Sequence, residues 1–220
     1  MADFAAAREE MVRRQIAGRG IREPRLLHAF RAVPREQFVP EEMRALAYED
    51  GPLPIEAGQT ISQPSIVALM IEASQLAPGH KVLEIGAGSG YAAAVMSRIA
   101  AEVIAIERHG ELAALARARM ERLGCSNVRI IEGDGTCGLP AEAPFDAILC
   151  AASGSHVPDA LSRQLAIGGI LVMPLGEPGA VQKLVKVTRR GEHEFDEEDL
   201  GAVRFVPLIG ALAWADPEGE

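Results

Sequence analysis

The stretch VLEIGAGSGYAAAVM, residues 82–96, decides the fold of this chain. An apolar, strand-like run leads into three glycines at alternate positions, Gly86, Gly88 and Gly90, and an alanine-rich helical segment follows. Glycine lets the backbone turn tightly and approach a ligand closely, and the start of the next helix offers unpaired N–H groups. The pattern therefore predicts a nucleotide-like ligand at a turn between a strand and a helix.

Five short apolar runs alternate with mostly helix-like segments through the middle of the chain. They are residues 81–86, 102–107, 127–134, 145–152 and 168–176. Such alternation indicates parallel strands with crossover helices, buried on both faces. Beyond Gly176 the segments 181–190 and 202–210 are predicted as two last strands, joined by an acidic loop and paired antiparallel at one edge. The expected fold class is α/β, with a doubly wound, mostly parallel seven-stranded sheet.

The ends of the chain extend this core without suggesting a second one. Residues 4–18 and 23–33 have helical spacing, which predicts an N-terminal helical arm, and residues 64–76 predict a further helix. We expect one domain over residues 1–220, divided into an arm and substrate segment (1–60), a ligand-binding core (61–176) and the C-terminal strands and tail (177–220).

Composition narrows the possible partners. The formal net charge is -9 and the pI is about 5.2, which argues against binding to nucleic acid. The three cysteines form no C-x-x-C pair, and no long apolar run or secretory segment is evident. We therefore expect no metal site, no membrane association and a cytoplasmic protein, with the monomer as the default state.

Acidic residues near the ends of the predicted strands separate two cofactor classes. A dinucleotide fingerprint starting at Gly86 would need glycine at position 91, where the chain has Tyr91. The remaining pattern, an acid at Glu84 followed by G-x-G-x-G, resembles motif I of class I S-adenosylmethionine-dependent methyltransferases. Glu107 is then suited to accept the ribose hydroxyls and Asp134 the adenine amine; the alternative for each acid is a helix cap.

Motifs along nearly the whole chain, from about Met11 to Gly210, resemble the protein-L-isoaspartate O-methyltransferase family. They are AVPREQFVP (32–40), PLPI (52–55), GQTISQP (58–64), GDG (133–135), APFDAI (143–148), GGILVMPLG (168–176) and VRFVPLIG (203–210). The resemblance implies a Rossmann-like methyltransferase sheet with reordered last strands. It also implies methyl transfer from S-adenosylmethionine to the α-carboxylate of L-isoaspartyl residues in proteins.

The resemblance assigns roles to individual residues. Ser62 matches the family's active-site serine, although it could instead be a plain N-cap of the next helix. The expected cofactor-binding residues are Gln59, Thr60, Ile61, Glu84, Gly86, Ala87, Gly88, Gly90, Glu107, Arg108, Asp134 and Gly135.

One loop departs from the family pattern. Residues 151–158 read AASGSHVP where the family commonly has Ala-Ala-Pro-Glu-Ile-Pro, so Ser155 and His156 could contact a different substrate. The loop keeps one alternative open, a carboxyl methyltransferase that acts on another carboxylate. A second alternative is a non-catalytic module that binds S-adenosylmethionine, against which the intact glycine turn, Glu107, Asp134 and Ser62 argue. The same loop lacks the N/D-P-P-aromatic segment typical of enzymes that methylate base amino groups.

Overall fold

A seven-stranded sheet forms the centre of the protein in the computed structural model, which describes residues 3–216. Its strands are β3 (Lys81–Ile85), β4 (Glu102–Glu107), β5 (Val128–Glu132), β6 (Phe145–Cys150), β7 (Leu165–Leu175), β8 (Gln182–Arg189) and β9 (Phe195–Val203). Two short strands that precede them, β1 (Leu53–Pro54) and β2 (Thr60–Ile61), form a separate two-stranded sheet. The α-helices are α1 (Phe4–Met11), α2 (Pro24–Ala32), α3 (Pro64–Ala73), α4 (Tyr91–Met96), α5 (Gly110–Arg122) and α6 (Asp159–Ser162). None of the described helices is long and apolar enough to cross a membrane.

The order of the large sheet is β5-β4-β3-β6-β7-β8-β9. Strands β3 to β7 pair in parallel, whereas β7, β8 and β9 pair antiparallel. The predicted doubly wound, mostly parallel sheet with antiparallel C-terminal strands is therefore confirmed. Strands β4 and β6 lie on opposite sides of β3, and ligands bind at such a switch point, beyond the carboxyl ends of the strands.

Both faces of the central strands are covered. On one face, apolar residues of the N-terminal arm and of α3, α4 and α5 pack against β3 and β4, and a second buried cluster around Leu83 and Phe145 covers the other face. This explains the nearly continuous apolar runs that mark these strands in the sequence. The residues that follow the strands are consequently fixed at one edge of a rigid sheet.

The prediction for the last strand was wrong. The acidic run that was expected to be a loop forms much of β9, whereas residues 204–216 lie outside the large sheet. β9 is an edge strand, and its acids face basic residues of the β8 region: Glu198 lies 3.0 Å from Lys186 and Asp196 lies 2.6 Å from Arg190. Main-chain pairing and cross-strand charge pairs therefore stabilise a strand that has no apolar pattern.

Two helices are shorter than predicted. The first α-helix ends at Met11 and continues as a π-helical turn (Val12–Ile16) and a 3-10 turn (Ala17–Arg19). Helix α3 ends at Ala73 rather than at residue 76, and its N-cap is Gln63, not Ser62. The plain helix-cap interpretation of Ser62 is therefore wrong, because the helix begins one residue too late for it.

Candidate active site

A cleft with a volume of about 500 Å³ opens at the carboxyl ends of β3 and β4. Three parts of the chain surround it: the glycine turn after β3, the segment 59–62, which we call the acceptor segment, and residues 206–209, which we call the C-terminal wall. The cleft is lined by eleven of the thirteen predicted site residues, namely Gln59, Thr60, Ile61, Ser62, Glu84, Gly86, Ala87, Gly88, Glu107, Arg108 and Gly135. Gly90 and Asp134 are adjacent to it.

The glycine turn is tied to the neighbouring strand by its backbone. The N–H groups of Gly86 and Ala87 both donate to the carbonyl of Ile106, at 2.8 and 3.1 Å. Gly90 has a φ of 86°, and a Cβ there would lie 3.0 Å from the Met120 side chain of α5. Glycine is therefore favoured at position 90 by the turn conformation and by the close packing of α5, although this residue does not line the cleft.

Glu107 lies at the end of β4 and is 5% exposed. One carboxylate oxygen accepts the N–H of Gly88 at 2.7 Å, and the other accepts the N–H of His109 at 2.9 Å. Each oxygen has a second lone pair, so the carboxylate is held rigidly at the cleft with acceptor capacity to spare. This geometry suits two adjacent hydroxyl groups, as in a ribose.

Glu84 is buried in the same wall of the cleft and is 2% exposed. One of its oxygens has no hydrogen-bond partner among the described residues. Burial, and then the nearby charge of Glu107, raise the pKa of Glu84 well above its ordinary value, so its neutral form is favoured. Glu84 therefore adds a neutral polar group with an unused oxygen to a site that would receive a charged ligand.

The carboxylate of Asp134 accepts hydrogen bonds from two other parts of the chain. One of its oxygens accepts from the backbone and the hydroxyl of Thr136, at 2.8 and 2.7 Å, and the other accepts the N–H of Ala211 at 2.8 Å. Burial would raise the pKa of Asp134, but these hydrogen bonds outweigh it and lower the pKa. Asp134 thus caps a short 3-10 helix and holds the C-terminal segment, while its neighbours Gly133 and Gly135 line the cleft.

The acceptor segment lies in a small hairpin across the cleft from the glycine turn. Its strand β2 pairs antiparallel with β1, and the N–H of Ile55 donates to the carbonyl of Gln59 at 2.9 Å. Ile61 is buried, whereas Ser62 is half-buried at the cleft. Within residues 3–216 the Ser62 hydroxyl has no hydrogen-bond partner, which leaves it available to a ligand.

Sequence reasoning missed the C-terminal wall. Residues 202–210 were predicted as a strand, yet Val206, Pro207, Leu208 and Ile209 line the cleft. Proline cannot donate to a strand ladder, so Pro207 was the signal against that assignment. Ser153 holds the wall in place, because its backbone N–H donates to Val206 and its carbonyl accepts from Leu208, both at 2.8 Å.

The loop that departs from the family pattern, residues 151–158, supports the C-terminal wall through Ser153, whereas Ser155 and His156 lie outside the cleft. Ser155 and His156 bond to each other at 2.9 Å and do not line the cleft, whereas Ala151 and Ala152 do. The Ser153 carbonyl also accepts the indole N–H of Trp214 at 3.0 Å. The loop therefore shapes the site through the C-terminal segment that it carries.

Arg35, which sequence reasoning did not single out, lies beneath the acceptor segment. Its guanidinium is fully buried and donates to the carbonyl of Ser62 at 2.9 Å. Its only sequence signal was its position in the motif AVPREQFVP, where an arginine followed by Glu36 and Gln37 reads as an exposed charge.

Comparison with known proteins places this geometry in a family. The family model described as Protein-L-isoaspartate(D-aspartate) O-methyltransferase (PCMT) matches residues 6–213. The chain is 58% identical over 217 residues to protein-L-isoaspartate O-methyltransferase 1 of Rhodopseudomonas palustris strain HaA2, covering 99% of this chain and 89% of the relative. It is 59% identical over 210 residues to the protein-L-isoaspartate O-methyltransferase of Methylorubrum populi, covering 96% and 98%.

Two solved structures share the fold over nearly the whole chain. A protein-L-isoaspartate O-methyltransferase superposes with a TM-score of 0.84 at 31% identity, covering 94% of this chain and 67% of that one. A candidate protein-L-isoaspartate O-methyltransferase from Plasmodium falciparum, in complex with S-adenosyl-L-homocysteine, has a TM-score of 0.79 at 27% identity, covering 92% and 98%. The resemblance inferred from the motifs is confirmed: the chain belongs to the protein-L-isoaspartate(D-aspartate) O-methyltransferase family.

Proposed function

We propose that this chain transfers a methyl group from S-adenosylmethionine to the α-carboxylate of L-isoaspartyl residues in damaged proteins. The resulting methyl ester carries a better leaving group than the free carboxylate. The backbone amide nitrogen therefore attacks the ester carbonyl, methanol leaves with the amide proton, and a succinimide forms. Hydrolysis of the succinimide returns part of the material to normal aspartate. The observation that carries this proposal is the cleft that Ser62 lines together with the glycine turn and Glu107, where the Ser62 hydroxyl has no partner among the described residues.

The cleft residues fit the cofactor. The glycine turn offers a close backbone approach, the Glu107 carboxylate suits the ribose hydroxyls, and Gly133 and Gly135 line the part of the cleft proposed for the adenine ring. Glu84 has a buried oxygen without a partner that can accept from the cofactor's amino group. When bound, S-adenosylmethionine supplies an electrophilic methyl group on a sulfonium.

The remaining work of the site is positioning. A carboxylate of ordinary pKa is already ionised at neutral pH, so the reaction needs no general base. The protein must align the attacking oxygen and keep water away from it. Ser62 holds the carboxylate by a neutral hydrogen bond, which positions it without the loss of nucleophilicity that a cation would cause. The apolar side chains of Ile61, Val206 and Leu208 reduce access of water.

Ser62 is the catalytic residue in this proposal, and Gln59, Thr60 and Ile61 form the wall between cofactor and peptide. Gly86, Ala87, Gly88, Gly90, Arg108 and Asp134, together with the residues named above, form or support the cofactor site. Asp134 contributes through Thr136 and Ala211, which it holds, as well as through any acceptor capacity left for adenine.

We also propose that residues 1–220 act as a single monomeric unit in the cytoplasm, on proteins rather than nucleic acid or membranes. The net charge of -9 opposes binding to phosphate backbones. The exposed acids of the edge strand β9 oppose pairing of that edge with a second copy. Light scattering coupled to size exclusion tests the monomer directly.

Paired peptides test the function. The two peptides differ only in one isoaspartyl or aspartyl residue, each is incubated with the protein and S-adenosylmethionine, and base-labile methyl ester is measured by mass spectrometry. We expect methylation of the isoaspartyl peptide alone. Methylation of the aspartyl peptide would instead support another carboxylate as the substrate, and binding of the cofactor with neither peptide modified would support a non-catalytic module.

Ser62→Ala tests the role of the hydroxyl in the same assay. We expect turnover to fall by about one to two orders of magnitude, as lost positioning bonds typically cause. Affinity for S-adenosylhomocysteine, measured by calorimetry, should stay unchanged and so serves as the internal control for folding. Unchanged turnover of the isoaspartyl peptide would remove Ser62 from the mechanism.

A further inference from the structure

Arg35 is a fully buried cation without an acidic partner among the described residues. Its Nε donates to the carbonyl of Ala47 at 2.8 Å and its Nη2 donates to the carbonyl of Ser62 at 2.9 Å, while Nη1 has no partner. Burial of an arginine without a carboxylate is costly, and it lowers the pKa of this guanidinium. A group retained at that cost calls for a role beyond filling space.

The contacts of Arg35 join three parts of the active-site wall. Ala47 belongs to the N-terminal arm, Ser62 ends the acceptor segment, and the ring of Tyr91 lies 4.8 Å from the guanidinium carbon. Tyr91 begins α4 directly after the glycine turn and also lines the cleft. A single planar group therefore sets the acceptor segment relative to the arm and to the helix of the cofactor turn.

The bond to Ser62 bears on the direction of its hydroxyl. Within residues 3–216, the Ser62 carbonyl accepts its hydrogen bond from Arg35. The Ser62 hydroxyl makes no hydrogen bond there that would fix its direction. Helix α3 does not hold this residue either, since the helix begins at Pro64 with Gln63 as its N-cap. The Ser62 carbonyl is part of the peptide that joins residues 62 and 63, and a rotation of this peptide would move the Ser62 side chain. The orientation of the hydroxyl therefore depends on the hydrogen bond from the Arg35 guanidinium.

We propose that Arg35 is a positioning residue for Ser62. The guanidinium clamps the carbonyl of Ser62 from the protein interior, so that the hydroxyl on the same residue points at the substrate carboxylate. The positive charge stays behind the segment and does not contact the carboxylate, which keeps its nucleophilicity. The inference rests on the proposed role of Ser62 and extends it to a residue of the N-terminal arm.

A double-mutant cycle tests the inference, with Arg35→Lys, Ser62→Ala and the combined variant assayed on the isoaspartyl peptide. Lysine keeps the charge but cannot bond two carbonyls with a rigid fork. We expect Arg35→Lys to lower kcat/KM by about 10-fold to 100-fold, as small misplacements of a reacting group do. The Kd of S-adenosylhomocysteine should not change.

The deciding measurement is whether the effect of Arg35→Lys on kcat/KM depends on the Ser62 hydroxyl. A merely structural defect would lower kcat/KM by the same factor with and without that hydroxyl. If Arg35 acts through Ser62, then Arg35→Lys should change kcat/KM by less than about threefold in the Ser62→Ala background. The matched control is Arg31→Lys, an arginine of the same arm that pairs with Glu9 on the surface at 2.8 Å. It should leave activity unchanged in both backgrounds.

Each other outcome has a distinct meaning. If Ser62→Ala alone has no effect, the proposed role of Ser62 fails, and the inference about Arg35 fails with it. If Ser62→Ala is slow but Arg35→Lys costs the same factor in both backgrounds, Ser62 stands and the inference about Arg35 is overturned. Should Arg35→Lys not fold at the assay temperature, Arg35→Gln, which is neutral and keeps one N–H donor group, is carried through the same cycle with the same criterion.

Discussion

Glu107→Gln is the substitution that most directly tests how the cofactor site is built. The Glu107 carboxylate is 5% exposed and accepts two backbone N–H groups, from Gly88 at 2.7 Å and from His109 at 2.9 Å. Glutamine has the same shape, but its amide has only one oxygen. One of the two buried N–H groups would therefore face an NH₂ group and lose its acceptor.

The expected magnitude follows from these contacts. A hydrogen bond to a charged group contributes about 1.5–3 kcal/mol, and a ribose held by the carboxylate would lose at least one such bond. We therefore expect the Kd of S-adenosylhomocysteine to rise by about 10-fold to 150-fold. The loss of one N–H acceptor should lower the free energy of unfolding by about 1–3 kcal/mol.

The assays are isothermal titration calorimetry with S-adenosylhomocysteine and urea unfolding without ligand. Glu102→Gln is the matched control, since Glu102 begins the same strand at its opposite end. That side chain is half-exposed, and its contacts with Lys81 and Arg129 are long, at 3.8 and 3.7 Å, so the Kd and the free energy of unfolding should change little. A Kd for Glu107→Gln within twofold of the unsubstituted protein would refute the reasoning.

Three further substitutions probe the walls of the cleft. Arg119→Met removes a buried guanidinium that donates to Glu56 at 3.3 Å, just before the acceptor segment. We expect a higher KM for the isoaspartyl peptide in steady-state kinetics. An unchanged KM would contradict the idea that Arg119 supports the acceptor segment through Glu56. Gly135→Ala places a Cβ 2.6 Å from the Ile85 side chain. The free energy of unfolding measured in urea should therefore fall by about 1–3 kcal/mol. An unchanged free energy of unfolding would show that Ile85 moves aside without cost. Glu84 has a raised pKa when folded, so its contribution to stability is present below the ordinary value of 4.5 and is lost as the pH rises toward the folded value. Glu84→Gln should remove that loss and flatten the pH dependence of unfolding above pH 4.5, and an unaltered slope would argue against it.

The core of the fold and most of the site could be predicted from local patterns. The apolar runs at β3 and β4 are buried on both sides, so their composition reports their environment directly. Glu84 was identified from its place two residues before the glycine turn, and Glu107 because residues at the carboxyl ends of parallel strands converge at one edge of the sheet. The motif GQTISQP marked the acceptor segment, which the structure places in the same cleft.

Other features depended on partners that are distant in the chain. The acids of β9 gave no strand pattern, because the strand is stabilised by Lys186 and Arg190 across the edge pair rather than by an apolar face. The carboxylate of Asp134 is engaged by the N–H of Ala211, which is 77 residues away. No local pattern around Asp134 records that contact.

The sequence by itself determined the sheet, the glycine turn and the family, since strand burial and tight turns leave a signature within a few residues. Only the tertiary structure decided that residues 206–209 form a wall and that Arg35 reaches the carbonyl of Ser62, 27 residues away. Hydrogen bonds of buried polar groups are satisfied by whichever donor the packing brings near. The choice of that donor is a property of the assembled fold, and in this protein it determines the direction of the proposed catalytic hydroxyl.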